Sequence, residues 1–315
     1  MKKVRLGLIG AGWVARKHLE VISAIENVEA VGITSRTKAK AEVLSKEYRI
    51  PFIADSLDEL VDLAKPDALM VLVSDDQVFQ VAARALKCNL PLFVEKPAGL
   101  LPEENLKLAE IARKDSIPTM VGFNRRYYSI FHKGIEIIKE KGKLLGISVE
   151  GHERMWRIYE GRKFSQHVID NWIFANSVHT IDLLRFFGGE VLEVKSIAHK
   201  IKEVRGDQFA AVLELKSGAI GEYISHWYSP GGWRVVLYGE GATVEFKPLE
   251  KGSWTDKDFK TYEIEPDGVD KNYKQGFYKQ MEAFVRLVTE GKSSWPMLDL
   301  EGAYKTMKLA EELSL

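Results

Sequence analysis

Short apolar runs alternate with amphipathic stretches over the N-terminal third of the chain. The apolar runs predict buried strands at 4–9, 29–33, 51–54, 67–73, 92–94 and 119–123. The stretches between them predict helices directly after Gly12, from Ser56, and at 38–48, 77–88 and 102–114. Such alternation is typical of an α/β domain with a doubly wound parallel sheet. Ligands of these sheets bind beyond the carboxyl ends of the strands.

The pattern changes after Asn124. We expect helices at 130–141 and 171–187, a strand at 144–153, and closing helices at 273–289 and 299–312. Turn residues at 216–218 and 239–241 predict hairpins that join strands 208–215 to 219–227 and 233–238 to 242–246. Consecutive hairpins form an antiparallel sheet, so the second domain is predicted to be α+β. The expected boundaries are 1–123 and 124–315, with the last helix able to pack back on the first domain.

One predicted strand of this sheet is apolar on both faces. Val212 and Leu213 are neighbours, and neighbouring residues of a strand point to opposite faces. One face can be covered by the domain's own helices. We therefore expect the other face to bind a second copy, giving a homodimer or homotetramer.

Composition narrows the class of partner. Lysine plus arginine and aspartate plus glutamate are 45 each, so no nucleic-acid or membrane partner is indicated. The single cysteine, Cys88, excludes a disulfide within the chain and fits a reducing compartment. No apolar stretch approaches the roughly 20 residues of a membrane span, so we expect a cytoplasmic protein.

The first strand runs into a glycine turn that is suited to a dinucleotide. Gly10 allows a sharp turn, Gly12 leaves room for a pyrophosphate, and Ala15 lets the helix pack closely on the strand. The helix N-terminus then holds the phosphates, and Trp13 and Val14 belong to the expected contact. A glycine turn without a ligand is the alternative.

The second strand ends without the acidic residue that usually binds the ribose of NAD. Thr34 occupies that position, followed by Ser35, Arg36 and Thr37. Hydroxyls and a guanidinium would bind a 2′-phosphate, which a carboxylate would repel. We therefore expect NADP to be preferred to NAD. A solvated helix start capped by Thr37 is the alternative.

Two further positions have candidate chemistry. Lys96 follows a strand and precedes Pro97, which restricts its conformation, so its amine can face the cleft and share a substrate's proton. His179 and Asp182 are spaced i, i+3 on one helix face, and the imidazole can accept an alcohol proton as hydride leaves carbon. The alternatives are a surface lysine and a core histidine.

Together the motifs resemble one family, the glucose–fructose oxidoreductase, inositol dehydrogenase and rhizopine-catabolism (Gfo/Idh/MocA) oxidoreductases. The resemblance extends over nearly the whole chain and depends on GLIGAG at 7–12, EKP at 95–97, GFNRRY at 122–127 and HTID at 179–182. It implies a Rossmann domain followed by a substrate domain with a large open sheet that commonly forms the subunit interface. It also implies NAD(P)-dependent oxidation or reduction of a sugar-like hydroxyl or carbonyl group.

The resemblance also implies roles for particular residues. Lys96 and His179 take the catalytic positions. The expected substrate contacts are Arg126, Tyr127 and Asp182, and the expected cofactor contacts include Ser74, Glu95 and Lys96. No metal is expected.

The chain departs from the family pattern in two places. The pattern Asp-x-Gly-x-His has Ala175 and Ser177 at its first two fixed positions, so the acidic partner of His179 is missing locally and Asp170 or Asp182 would have to replace it. The usual Thr-Pro-x-x-x-His is replaced by the segment 74–79, SDDQVF. Two alternatives to a dehydrogenase therefore stay open: a non-catalytic NAD(P)-binding sensor or structural protein, and a glycosidase that keeps NAD tightly bound.

Overall fold

The computed structural model describes residues 3–315 as 14 strands and 12 α-helices. The strands are β1 (Val4–Ile9), β2 (Val28–Thr34), β3 (Phe52–Ala54), β4 (Ala68–Val71), β5 (Leu92–Val94), β6 (Thr119–Val121), β7 (Leu144–Gly151), β8 (Val191–His199), β9 (Gln208–Leu215), β10 (Ile220–His226), β11 (Trp233–Gly239), β12 (Ala242–Phe246), β13 (Gly252–Asp256) and β14 (Thr261–Ile264).

The helices follow the same chain order. They are α1 (Trp13–Ile22), α2 (Lys38–Tyr48), α3 (Leu57–Ala64), α4 (Val78–Leu86), α5 (Pro102–Lys114), α6 (Ser129–Lys141), α7 (Met155–Gly161), α8 (Gln166–Asp170), α9 (Val178–Gly188), α10 (Gly268–Asn272), α11 (Phe277–Glu290) and α12 (Leu300–Leu313). A 3-10 turn spans Asn124–Tyr127, and a π-helical segment spans Ile173–Ser177. None of the helices within residues 3–315 is both long and apolar enough to cross a bilayer.

The first of two compact units contains the chain up to Asn124 together with Asn272–Tyr304. Its six strands form a parallel sheet in the order β3-β2-β1-β4-β5-β6. The central strands are buried almost completely, as expected when helices cover both faces of a parallel sheet. The predicted doubly wound Rossmann sheet is confirmed.

The second unit contains Arg125–Lys271 and Lys305–Leu315. Its sheet has eight strands in the order β14-β13-β12-β11-β7-β10-β9-β8. All neighbouring strands are antiparallel except β7 and β10. The mainly antiparallel sheet and both predicted hairpins are confirmed. Three of its strands, β8, β13 and β14, had no predicted bounds.

One face of the large sheet is buried and the other is open in the chain. Along β9, Phe209, Leu213 and Leu215 are buried, whereas Val212 is 56% exposed. On β10 next to it, Ile220 is 59% exposed. The prediction that apolar residues occur on both faces is therefore confirmed, and the open face bears several large aliphatic side chains.

Candidate functional site

A cavity of about 420 Å³ lies at the carboxyl edge of the parallel sheet in the first unit. It begins at the glycine turn, where β1 ends and α1 starts, and continues past the ends of β2 and β4. It is lined by Ile9, Gly10, Ala11, Gly12, Thr34, Ser35, Arg36, Thr37, Lys40, Asp55, Ser56, Leu57, Leu72, Val73, Ser74, Gln77, Val81 and Arg84. This is the edge at which doubly wound sheets bind their ligands.

The glycine turn fits a dinucleotide. Gly10 has φ +115°, and a Cβ there would collide with the Leu72 carbonyl, so the turn requires glycine. A Cβ at Gly12 would meet no atom within 4 Å, because that direction opens into free space. Gly12 is the N-cap of α1 and has no side chain to cap the helix. The helix N-terminus is thus available to a phosphate, as in dinucleotide-binding folds.

The residues after β2 present cations to the same cavity. Ser35, Arg36 and Thr37 line it as predicted, and Lys40 and Arg84 line it in addition. Among residues 3–315, no carboxylate forms an ion pair with any of these three cations. Thr37 is the N-cap of α2 but makes no capping hydrogen bond through its side chain. The alternative of a helix start capped by the Thr37 side chain is therefore not observed.

The other predicted cofactor residues divide into two groups. Ser74 lines the cavity, whereas Trp13, Val14, Glu95 and Lys96 are outside its lining. The Trp13 ring is 64% exposed and lies 5.3 Å from the Lys274 ammonium.

Glu95 and Lys96 follow β5, and Glu95 is held from two sides. Its Oε1 lies 2.8 Å from Nε2 of His18, a fully buried residue of α1, and its Oε2 accepts a hydrogen bond from the Lys96 amide at 3.3 Å. A Cβ at Gly122 would come within 2.9 Å of the Glu95 carboxyl group. The sequence analysis did not assign a role to His18, which fixes the carboxylate next to Lys96.

Asp75 is a second residue that sequence reasoning missed. It lies in the turn after β4, closed by a hydrogen bond from the Gln77 amide to the Ser74 carbonyl, and β4 pairs with β5. Burial raises the pKa of Asp75, and the charge of Lys96 opposes that rise. The sequence did contain a signal for this residue, because Asp75 stands where the family pattern Thr-Pro-x-x-x-His has its proline.

In the second unit, His179 lies in the first turn of α9 and is 6% exposed. Its ring centroid is 6.1 Å from that of Trp233 on β11. The guanidinium of Arg125 lies 4.4 Å from the Trp233 ring centroid, in cation–π contact. A histidine, an arginine and a tryptophan from three separate elements therefore form one cluster.

The three predicted substrate-binding residues are buried. Arg126 binds Asp182 through two hydrogen bonds, Nε to Oδ2 at 2.6 Å and Nη2 to Oδ1 at 2.8 Å. Thr306 also donates to Asp182 Oδ1, at 2.8 Å. Tyr127 is 5% exposed. The structure thus brings Arg126 and Asp182 together as partners of each other, in a bidentate ion pair that holds α9.

The carboxylate nearest in sequence to the Ala175 position is also engaged. Asp170 Oδ1 accepts a hydrogen bond from Gln166 at 2.7 Å, within α8. Asp170 and Asp182 thus each have hydrogen-bond partners of their own.

A third carboxylate, Glu153, was missed by the sequence analysis. Asn176 Nδ2 donates to its two oxygens at 3.1 and 2.9 Å, and Ser177 Oγ donates to Oε1 at 2.9 Å. Burial raises the pKa of Glu153, while hydrogen bonds from Ser177 and Asn176 and the charge of Arg125 oppose the rise. Its donors are more than 20 residues away along the chain, so no local motif marks it.

The parallel sheet, the glycine turn and the cavity define a Rossmann unit that binds NAD(P). The chain belongs to the GFO/IDH/MocA oxidoreductase family: the model of its NAD-binding Rossmann fold matches residues 4–123, and that of its C-terminal domain matches residues 146–245. The resemblance inferred from the motifs is confirmed.

Among curated proteins, glucose-6-phosphate 3-dehydrogenase from Bacillus subtilis is 32% identical over 151 residues, which are 47% of this chain and 42% of that protein. The first matched relatives are thus covered over only about half of their length.

Solved structures share the fold over almost the whole chain. UDP-N-acetylglucosamine 3-dehydrogenase from Acidithiobacillus ferrooxidans has a TM-score of 0.78 at 18% identity, covering 100% of this chain and 97% of that chain. An oxidoreductase from Agrobacterium radiobacter, in complex with NAD+, L-tartaric acid and magnesium, has a TM-score of 0.80 at 14% identity, with 98% and 95% covered.

Proposed function

We propose that this protein is an NADP-preferring oxidoreductase acting on a hydroxyl or carbonyl group of a sugar, polyol or sugar derivative. The observation that carries the proposal is the cavity that begins at the glycine turn and is lined by Arg36 and Lys40 beyond the end of β2 and by Arg84 of α4. Two relatives named as sugar 3-dehydrogenases support the substrate class.

The cations support the choice of NADP. A 2′-phosphate carries negative charge and takes charge-assisted hydrogen bonds best from arginine, while Ser35 and Thr37 add hydroxyl donors to the same wall. At about 1.5–3 kcal/mol for a hydrogen bond to a charged group, Arg36 alone would favour NADP by roughly ten- to hundredfold.

Lys96 and His179 are proposed as the residues at the reacting centre. Oxidation of an alcohol removes a hydride from carbon and a proton from oxygen. NADP, when bound, accepts the hydride. Lys96 would orient the hydroxyl and share its proton, and His179 would accept the proton. The fixed Glu95 next to Lys96 supports this role, since it limits the conformations of the Lys96 backbone.

The open face of the large sheet is proposed to bind a second copy of the chain. The exposed aliphatic side chains Val212 and Ile220 support this, because a large apolar patch on a surface usually marks an interface. Sedimentation at micromolar concentration should give a dimer or tetramer. A strictly monomeric mass would exclude the proposal.

The proposed function is tested by a substrate screen combined with cofactor titration. NADPH should bind more tightly than NADH in a fluorescence titration, and NADP should be reduced with a member of a panel of sugars, polyols and nucleotide-linked sugars. Binding of NADPH without net turnover of any panel member would exclude the dehydrogenase and favour a sensor or a glycosidase with bound cofactor.

A further inference from the structure

Glu153 follows β7 and is 5% exposed, so its carboxylate is almost wholly removed from water. Burying a charge without partners is costly, and buried carboxylates are accordingly hydrogen-bonded. The hydrogen bonds to Glu153 come from Asn176 and Ser177, the last two residues of the π-helical segment. One side chain thus ties the end of β7 to this segment.

The tied segment leads directly into the turn that bears His179. Ser177 is the N-cap of α9, and His179 is the second residue of that helix. A π-helical segment departs from the regular helical hydrogen-bond pattern and often occurs at functional sites. The Glu153 hydrogen bonds fix Asn176 and Ser177, and through them the start of the helix.

The electrostatic surroundings connect Glu153 to the same cluster. Arg125, which lies over Trp233, acts on the Glu153 charge from the 3-10 turn, and Tyr223 of β10 is also affected by it. Trp233 in turn lies beside His179. The other carboxylates near this part of the chain, Asp170 and Asp182, are bound to Gln166 and Arg126.

We propose that Glu153 is a positioning residue that acts through the Asn176–Ser177 turn on His179, and that it replaces the acidic residue missing at Ala175. The proposal rests on the proposed function for the role of His179 in turnover. In this chain the carboxylate comes from the segment after β7, whereas the family pattern has it at the Ala175 position. Its hydrogen bonds to Asn176 and Ser177 fix the helix start that bears the ring.

The test follows the titration of the His179 ring by NMR in the protein labelled at histidine, assigned by the resonance lost in His179→Asn. Glu153→Gln keeps the shape and removes the charge. The titration midpoint of His179 should move, because a glutamine cannot accept all the hydrogen bonds that Asn176 and Ser177 donate to the carboxylate, and the turn that bears the ring is held less firmly. Turnover should fall at least ~tenfold, with NADPH affinity unchanged.

The matched control is Glu203→Gln. Glu203 is also a buried glutamate of the second unit, and it accepts hydrogen bonds from Tyr159 and Tyr228 instead. The control should leave the His179 titration and turnover unchanged. In Glu153→Gln combined with Ala175→Asp, the carboxylate returns to the helix, and the titration midpoint and turnover should recover.

Ser177→Ala provides a second variant that removes one hydrogen bond and keeps the charge, in case Glu153→Gln does not fold. It should lower turnover and change the His179 titration. If neither variant moves the titration of His179, the proposal is overturned. The titration of His179 needs no substrate. A protein that turned over no sugar would therefore refute the proposed function, while the titration would still test the role of Glu153.

Discussion

The charged side chains of the two units are arranged differently. In the first unit Arg36, Lys40 and Arg84 face a cavity, and no carboxylate among residues 3–315 forms an ion pair with them. In the second unit Arg126 binds Asp182 inside the protein, and Arg125 stacks on Trp233. Unpaired cations at a cavity are available to an anionic ligand. Buried paired charges orient their neighbours and are costly to disturb. We therefore expect charge mutations in the first unit to weaken ligand binding and those in the second unit to lower stability.

The largest effect is expected at Lys96. Lys96→Ala should lower turnover by about 10²–10⁴-fold while NADPH affinity stays nearly unchanged, because the side chain shares the substrate proton and is not expected to contact the adenosine end. His179→Ala should lower turnover less, since Lys96 combines orientation of the substrate, charge and proton exchange. Steady-state kinetics and fluorescence titration measure the two quantities.

The exposed Lys107 on α5 is the matched control for Lys96. Lys107→Ala should leave turnover unchanged. Full turnover of Lys96→Ala would show that the reacting centre lies elsewhere.

The next largest effect is on the stability of the second unit. Asp182→Ala leaves the buried Arg126 guanidinium without its bidentate partner, and breaking a buried pair in this way costs about 3–5 kcal/mol. Chemical denaturation measures the free energy of unfolding. The control is Asp267→Ala, which removes an exposed pair with Lys133 at 2.6 Å and should cost about 1 kcal/mol or less. Equal losses would remove the distinction between the two kinds of charge.

A smaller effect is expected on nucleotide choice in the first unit. Arg36→Ala should weaken NADPH binding by roughly ten- to hundredfold and leave NADH binding and stability nearly unchanged, since the lost hydrogen bond is to the 2′-phosphate. Lys46→Ala is the control, because Lys46 is exposed on α2 and lies outside the cavity lining. The assignment of NADP fails if the wild-type protein binds NADH as tightly as NADPH.

The smallest effect concerns Asp75. This residue belongs to the first unit, but burial affects its charge as it does that of the buried residues in the second unit. Burial raises its pKa in the folded protein, so the folded state holds this proton more tightly than the unfolded state. The stability it contributes is present below the unfolded pKa and is lost as pH rises through the folded pKa. The free energy of unfolding of Asp75→Asn should therefore increase relative to that of the wild-type protein as pH rises from about 4 to about 8. Chemical denaturation at the two pH values measures the free energy of unfolding of both proteins. The same difference between them at both pH values would contradict this expectation.

The fold was largely predictable because its signals are local. Gly10 and Gly12 mark the turn at β1, and the short connections 216–218 and 239–241 mark both hairpins. Strands β13 and β14 escaped prediction, because GSWTD and TYEI are short and polar and are strands only through pairing with each other and with β12.

The candidate site was predictable only where one segment forms it. The cavity residues Ser35–Thr37 lie in one loop, and their side chains could be assigned from it. Glu153 could not be found in this way, since its hydrogen-bond donors Asn176 and Ser177 lie 23 and 24 residues later in the chain. The same holds for the Arg126–Asp182 pair, whose two members are 56 residues apart.

The central place of β7 in the large sheet has a consequence for how the protein folds. β7 is the first strand of the second unit to be synthesised, yet it pairs with β10 and β11, which come much later. The hydrogen bond from Ser225 to the Gly151 carbonyl at its end spans 74 residues. Pairing over such a distance requires the closure of a long loop before any contact compensates for the lost chain entropy, and such topologies fold slowly. During synthesis β7 therefore has no paired strand on either edge until β10 and β11 have been made. In pulsed hydrogen exchange during refolding, its amides should become protected together with those of β10, and later than those of the β9–β10 hairpin turn.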